Sequence, residues 1–320
     1  MLADPAVADC VAAPTAEVRV VMYGQRQLRS VVDTVTNGIA NKFIFDTGAD
    51  ATMVKQSSSA KLGLEARDKA QVMSFGQPVE VALAEVKSFE FAGRALHRLV
   101  FGLVDVAVLD DRVDGFLGER EIGDSDLEID LPGGVIRFFP PAACKGVEMA
   151  YWAKPNVARV IELEPFLSDR SRIFGTVSVN GAPLRAMFDT GTPTTLLTAK
   201  AAAKAGVTPE QSGVSAAGYS QGIGPAQMRA WTASFAEFSI GGESWPHPTL
   251  DFADKPNATA ELLIGADFFK THRVFISKSQ HSMAFTYEGG QLFGRARPDF
   301  PAAPPVSSAP APYSFPESKP

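Results

Sequence analysis

The sequence predicts an all-β protein made of two copies of one β-rich unit related by a pseudo-twofold axis, with few and short helices. Three observations carry this. Apolar runs of strand length alternate with Asn-Gly, Pro-Gly-Gly and Asp-Asp turn signals, and helical patterns are few. The run Phe43-Ile44-Phe45-Asp46-Thr47-Gly48-Ala49-Asp50 returns as Ala186-Met187-Phe188-Asp189-Thr190-Gly191-Thr192-Pro193, so Asp189 repeats Asp46 at an offset of 143 (189 − 46). The spacing downstream also agrees: Gly118 follows Asp46 at an offset of 72 (118 − 46), and Gly265 follows Asp189 at 76 (265 − 189). One Asp-Thr-Gly is a common turn tripeptide. Two, in matched order behind apolar strands, indicate a duplicated unit with one carboxylate per copy.

The first copy is expected over 16–150, after a flexible arm at 1–15. Val18 to Met22 alternates weakly and reads as a strand. Asn37-Gly38 is a hairpin signal, and the strand after it, Lys42 to Phe45, delivers Asp46. Ser57 to Leu64 reads as a short helix ended by Gly63. Val72 to Val81 reads as a hairpin with Gly76 and Pro78 near its tip. Val79 to Val86, Ser88 to Phe91 and Leu99 to Leu109 read as further strands. Asp114-Gly115-Phe116-Leu117-Gly118 follows. The copy closes on Leu127 to Leu131, Pro132-Gly133-Gly134 and Val135 to Phe139, a strand-turn-strand signature.

The second copy, expected over 151–295, repeats this order. Phe174 to Val179, Asn180-Gly181 and Leu184 to Phe188 form a hairpin with the same turn, and Asp189 follows. Thr198 to Gly206 is a short Ala-rich helix, Val214 to Met228 is Gly-rich, and Ala233 to Ile240 and Thr249 to Phe252 are strands. Leu262 to Phe269 mirrors Gly115 to Glu121. Arg273 to Ile276 and Ser282 to Tyr287 mirror the closing hairpin. From 296 to 320 the chain is rich in Pro, Ala and Ser, buries too little to order itself, and is expected to be a disordered tail.

The totals bound the partners. In 320 residues, 45% hydrophobic and 21% charged is ordinary for a globular chain with a sizeable core. A net charge of −6 argues against nucleic acid, which needs a basic footprint. The longest apolar stretch, Leu99 to Leu109, is interrupted by Asp105 and is too short to span a membrane. The two cysteines, Cys10 and Cys144, flank the first copy, as a disulfide or as two free thiols. Four scattered histidines and two cysteines offer no metal-ligand spacing. Residues 1–16 lack a basic start and an apolar core. They are expected to be the start of a mature chain whose leader has been removed, which places the protein outside the cytoplasm, periplasmic or secreted. The alternative is a cytoplasmic protein with a loose start.

Two equivalent loops of a duplicated β unit meet at its pseudo-twofold axis, as in a symmetric dimer. Two carboxylates meeting there cannot both stay ionised, so one holds the proton and the pair shares it. The ionised member then serves as general base toward water and the protonated one as general acid toward a carbonyl oxygen. Neither a metal nor another cofactor is required. Thr47 and Thr190 offer hydroxyls to cross-link the loops, while Gly48 and Gly191 allow close backbone approach. Thr192 has a hydroxyl that can bond its aspartate and favour ionisation, whereas Ala49 has none.

These motifs make the chain resemble the aspartic peptidases. The resemblance is to a tandem, single-chain form of the retropepsin-like family, over roughly residues 16 to 290. The carriers are Asp46-Thr47-Gly48 with Phe116-Leu117-Gly118, and Asp189-Thr190-Gly191 with Leu263-Ile264-Gly265. The resemblance implies two β-barrel lobes, Asp46 and Asp189 as the catalytic pair, a protein or peptide substrate, and a monomer. It also implies flaps between each Asp-Thr-Gly and its apolar-apolar-Gly partner. The candidates are Met73 to Val79, with Met73, Phe75 and Gly76, and Ala217 to Pro225, with Tyr219 and Gly222. The bilobal plan is shared with the pepsin-like branch, but these lobes are short and two cysteines cannot form that branch's usual disulfides.

Other signals are weaker. Gly218-Tyr219-Ser220-Gln221-Gly222 matches a nucleophile elbow, but it lacks a buried strand before it and a helix after it. An actin-like ATPase would explain Asp189-Thr190-Gly191-Thr192 as a phosphate turn and leave the apolar-apolar-Gly repeats unexplained. Asn257-Ala258-Thr259 reads as a loop, not a glycosylation site, and Glu119-Arg120-Glu121 as a solvated turn. The main competitor is a peptide-binding module of the same fold that grips an extended chain without cleaving it.

Overall fold

The structure is a computed structural model that describes residues 13–24, 28–74, 77–106, 109, 111–141, 149–154, 157–166, 172–224, 227–254, 259–293 and 295–296, without the side chains of 221, 295 and 296. Cys10, Cys144, Phe75, Gly76, Asn257 and Ala258 of the sequon, and the tail from 297 onward lie outside the described residues; residue 296, expected in the tail, ends a short strand, Arg295–Ala296.

The chain is mostly β, with two repeated lobes and four short helices among the described residues: Gln56–Ser59, Glu119–Ile122, Ala199–Lys204 and Ala266–Phe269. Each lobe starts from the predicted hairpin. Arg29–Thr36 pairs with Ile39–Phe45 around Asn37-Gly38, and Phe174–Val179 pairs with Ala182–Phe188 around Asn180-Gly181. Both asparagines have φ of 51°, and the glycines have 78° and 77°. That is the left-handed turn that matches strand twist and that Asn-Gly adopts at low cost.

The second strand of each hairpin then pairs in parallel with the strand ending in the apolar-apolar-Gly signature: Ile44 opposite Phe116 and Phe45 opposite Leu117, Met187 opposite Leu263 and Phe188 opposite Ile264. Covered on both faces, these strands are continuous apolar runs rather than alternating ones. Phe43, Ile44, Phe45 and Phe188 have no exposed surface. One hydrophobic cluster runs through both lobes and holds Phe45, Phe89, Phe101, Phe188, Phe238 and Phe268.

The predicted closing hairpins do more than close each copy. Asp126–Asp130 with Val135–Phe139, and His272–Ser277 with Ser282–Tyr287, join in one six-stranded sheet. The seam runs antiparallel from Leu127 opposite Ile276 to Asp130 opposite Arg273. Ala16–Arg19 and Arg159–Glu162 form its two edges, so the sheet repeats the pseudo-twofold relation of the lobes and ties them together.

Several strand readings needed correction. Val18 to Met22 is two strands, Ala16–Arg19 and Val21–Tyr23, that leave Val20 for different sheets. The two readings 79–86 and 88–91 are one strand, Gln77–Phe91, because pairing with the next strand resumes at Ser88 opposite His97 directly after Val86 opposite Leu99. The next strand is Arg94–Val104, starting directly after a turn at Ala92-Gly93 with φ of 50° and 71°. Ala233 to Ile240 is split between Gln227–Ser234 and Glu237–Ile240. A further strand, Glu243–Pro246, follows a turn at Gly241-Gly242. No described helix is long and apolar enough to cross a membrane.

Candidate active site

Both Asp-Thr-Gly loops begin where a buried strand ends, and the signature strand fixes the point of departure. The Asp46 amide donates to the Leu117 carbonyl at 3.0 Å and the Asp189 amide to Ile264 at 2.9 Å. The far end of each loop is held by the helix behind the signature. Glu119 and Arg120 amides donate to the Ala49 and Asp50 carbonyls; Ala266 and Asp267 amides donate to Thr192 and Pro193. The loops are therefore equivalent residue by residue, with Asp50 and Pro193 in the same place.

The threonines interlock beneath the aspartates. The Thr47 amide donates to Thr190 Oγ1 and the Thr190 amide to Thr47 Oγ1, each at 3.1 Å. Thr47 Oγ1 donates in turn to the Phe188 carbonyl at 2.8 Å, and Thr190 Oγ1 to Phe45 at 2.6 Å. Both side chains are completely buried. Each hydroxyl thus makes both of its bonds to the opposite lobe, accepting from that lobe's threonine amide and donating to the carbonyl at the end of that lobe's strand. This is the cross-link expected from the sequence. The glycines sit against the opposite carboxyls: a Cβ on Gly48 would collide with the Asp189 carboxyl, and one on Gly191 with that of Asp46. Any side chain here would push the loops apart.

The two carboxyls are close enough to hydrogen-bond to each other. Burial first, then the Asp189 charge, pushes Asp46 well above the usual carboxylate range; the Gly48 amide and the Arg29 guanidinium oppose this weakly. Donors are unevenly shared. Asp46 accepts from the Gly48 amide at 2.9 Å. Asp189 accepts from the Gly191 amide at 2.9 Å, the Thr192 amide at 3.1 Å and Thr192 Oγ1 at 2.7 Å. Three donors stabilise a charge better than one, so the proton of the pair resides on Asp46.

The structure brings Asp46, Thr47, Gly48, Asp189, Thr190, Gly191 and Thr192 into this one cluster. The flap candidates lie on two hairpins, Ala66–Ser74 with Gln77–Phe91 and Ser215–Gln221 with Gln227–Ser234. Met73 and Tyr219 are exposed, at 56% and 67%, and Gly222 follows the end of its strand. The hairpins approach each other: a Cβ on Gly224 would stand 3.0 Å from the Val79 methyls, and Ile223, Val72 and Val79 border the same buried cluster. Ser220 lies within a strand followed by another strand, so the elbow geometry is not formed.

Sequence reasoning missed the charges around the site. Glu119 and Glu121 are not on a solvated turn; each is 1% exposed. Glu121 Oε2 accepts from Thr52 Oγ1 at 2.5 Å and holds the first loop from behind, as Asp267 does for Thr195 Oγ1 at 2.8 Å in the second. Glu119, pushed up to about 7 by burial, faces buried Lys278 at 2.5 Å across the lobes. Arg172 makes a bidentate pair with Asp50, Nε to Oδ1 at 2.9 Å and Nη2 to Oδ2 at 2.6 Å. Arg29 Nη1 donates to the Gly191 carbonyl at 2.6 Å. A signal was available: Arg172 repeats Arg29 at the same offset as the aspartates, each arginine standing 17 positions before its aspartate (46 − 29; 189 − 172).

The aspartyl protease family model matches residues 32–119 and 175–268, together more than half of the chain, and the protein belongs to that family. Each matched stretch holds one Asp-Thr-Gly and one apolar-apolar-Gly. No curated protein matches the chain. Among solved structures the chain is similar to one described as "Crystal structure of edgp", with 11% identity and a TM-score of 0.46, over 88% of this chain and 96% of that one.

Proposed function

We propose that the protein is an aspartic endopeptidase that hydrolyses peptide bonds in an extended polypeptide, with Asp46 and Asp189 as its catalytic residues. The observation that carries this reading is the pair of carboxyls held together by the interlocked loops, with one donor on Asp46 and three on Asp189. Asp189, ionised and held by three donors, takes a proton from water as the water oxygen attacks the scissile carbonyl carbon. Asp46 delivers its proton to the carbonyl oxygen, giving a neutral gem-diol. Asp189 then passes its new proton to the amide nitrogen, a gem-diol hydroxyl returns a proton to Asp46, and the C–N bond breaks. The pair ends as it began. Thr47, Thr190, Gly48 and Gly191 hold the geometry, and the two hairpins act as flaps that exclude water. Their close approach at Gly224 and Val79 supports this role.

The test is incubation with denatured protein substrates across about pH 3–8, where a shared-proton pair operates. Wild type is expected to cleave, and Asp46→Asn and Asp189→Asn to bind without cleaving. Binding without cleavage by the wild type would make the protein a peptide-binding module instead.

A further inference from the structure

The repeat that relates the aspartates also relates Arg29 to Arg172 and Asp50 to Pro193. The strands agree in register: Val31 pairs with Ile44 two residues after Arg29, and Phe174 pairs with Met187 two residues after Arg172. The loop ends agree as well, since Asp50 and Pro193 carbonyls accept the equivalent helix amides, from Arg120 and Asp267. Each arginine therefore reaches from its own lobe toward the same place on the opposite one. Arg172 meets a carboxylate there and is neutralised by both of its oxygens. Arg29 meets Pro193's position, which has no carboxylate, and turns to the Gly191 carbonyl. One of its five N–H donors makes that bond. The acids that act on it are Asp46 and Asp189, the pair itself. A half-buried guanidinium beside the aspartate pair, with no other hydrogen bond among the described residues, is a ready site for a planar anion.

We propose that Arg29 is a specificity-determining residue that binds a substrate carboxylate on one side of the scissile bond, taking from the substrate the partner that Asp50 gives Arg172. This rests on the protease reading for its substrate, a peptide lying across the pair. The two arginines are related by the pseudo-twofold axis and flank the aspartates on opposite sides. Among the described residues only Arg172 of the two has an internal carboxylate in its fork, so the acid preference falls on one side only. The carboxylate comes from a Glu or Asp side chain or from the peptide's own C-terminus.

Positional-scanning peptide libraries test this, with Glu or Gln fixed at one position at a time and mixtures elsewhere. Wild type is read by cleavage. Asp46→Asn, whose neutral amide mimics the protonated Asp46, is read by binding. With C-terminally amidated peptides, Glu is expected over Gln by about tenfold at one position, the scale of a charge-assisted hydrogen bond. Free-acid peptides that gain at the same place, where the amides do not, assign the C-terminal carboxylate instead. Arg29→Gln is expected to bring the ratio to about one and Arg29→Lys to keep part of it. Pro193→Asp, its fold checked by thermal melting, is expected to remove the preference by supplying an internal partner. Equal use of Glu and Gln at every position, with no gain for free acids, overturns the proposal, as does a preference undiminished in Arg29→Gln. Carboxylate-selective binding without any cleavage leaves Arg29's role standing and removes the protease reading; unselective cleavage does the reverse.

Discussion

The two lobes share a framework and differ in charge. Thr47 and Thr190, Gly48 and Gly191, and the amide bonds at the loop ends match atom for atom. Around them the symmetry breaks three times. Ala49 faces Thr192, Asp50 faces Pro193, and Glu119, buried against Lys278, stands where the other lobe has Ala266. The shared positions are those where two loops touch and any change of shape separates the carboxyls. The divergent ones lie a step away, where a change of charge alters the site's electrostatics and leaves its geometry intact. A fused duplicate can thus hold two equivalent carboxyls and still assign the proton to one of them.

The largest test breaks the equivalence of the aspartates. Asp46→Asn and Asp189→Asn are each expected to lower kcat/KM by about a thousandfold or more on a peptide substrate, since each loss removes an acid or base role. If one variant kept activity, the lobes would not be partners in one reaction.

Next is the buried pair between Glu119 of the first lobe and Lys278 of the second. Lys278→Met leaves Glu119 buried without its cation and is expected to cost about 3–5 kcal/mol in urea unfolding. Glu119, pushed up to about 7, binds its proton more tightly in the folded state, as does Asp267 at about 6. Their contribution is therefore complete below about pH 4 and is lost as pH rises through those values. Melting temperature is expected to fall from about pH 4 to pH 8, and to fall less in Glu119→Gln.

The framework itself predicts symmetry. Thr47→Val and Thr190→Val each strand an amide and a carbonyl in the core and are expected to destabilise by about 2–4 kcal/mol, equally in the two lobes. Unequal losses, read by denaturant unfolding, would show that the interlock is not symmetric in energy.

Smaller still is Asp50→Ala. The pair with Arg172 is partly exposed, with side chains 20% and 43% accessible, so screening limits its contribution to about 1 kcal/mol of stability. The larger consequence is in cleavage: freeing Arg172 is expected to create a second acid-preferring position on the other side of the scissile bond. The smallest effect belongs to Thr192→Ala, which removes a donor from Asp189. The acid limb of the kcat/KM profile is expected to move to higher pH.

The sequence by itself determined the duplication, the Asn-Gly hairpins, the apolar strands that carry Asp46 and Asp189, and the threonine-glycine framework. These are local: turn chemistry, strand burial and a repeated order are written in neighbouring residues, and a repeat states them twice. The two hairpins proposed as flaps were legible as places, and Met73 and Tyr219 are exposed on them. Only the tertiary structure decided that the closing hairpins fuse into one sheet, that Glu119 and Glu121 are buried, and that among the described residues Arg172 holds a carboxylate in its fork while Arg29 bonds a carbonyl. Lys278 lies 159 residues from Glu119, and Arg172 lies 122 from Asp50. A charge has no periodicity and no turn signature, so its partner is chosen by whichever surface the fold brings against it.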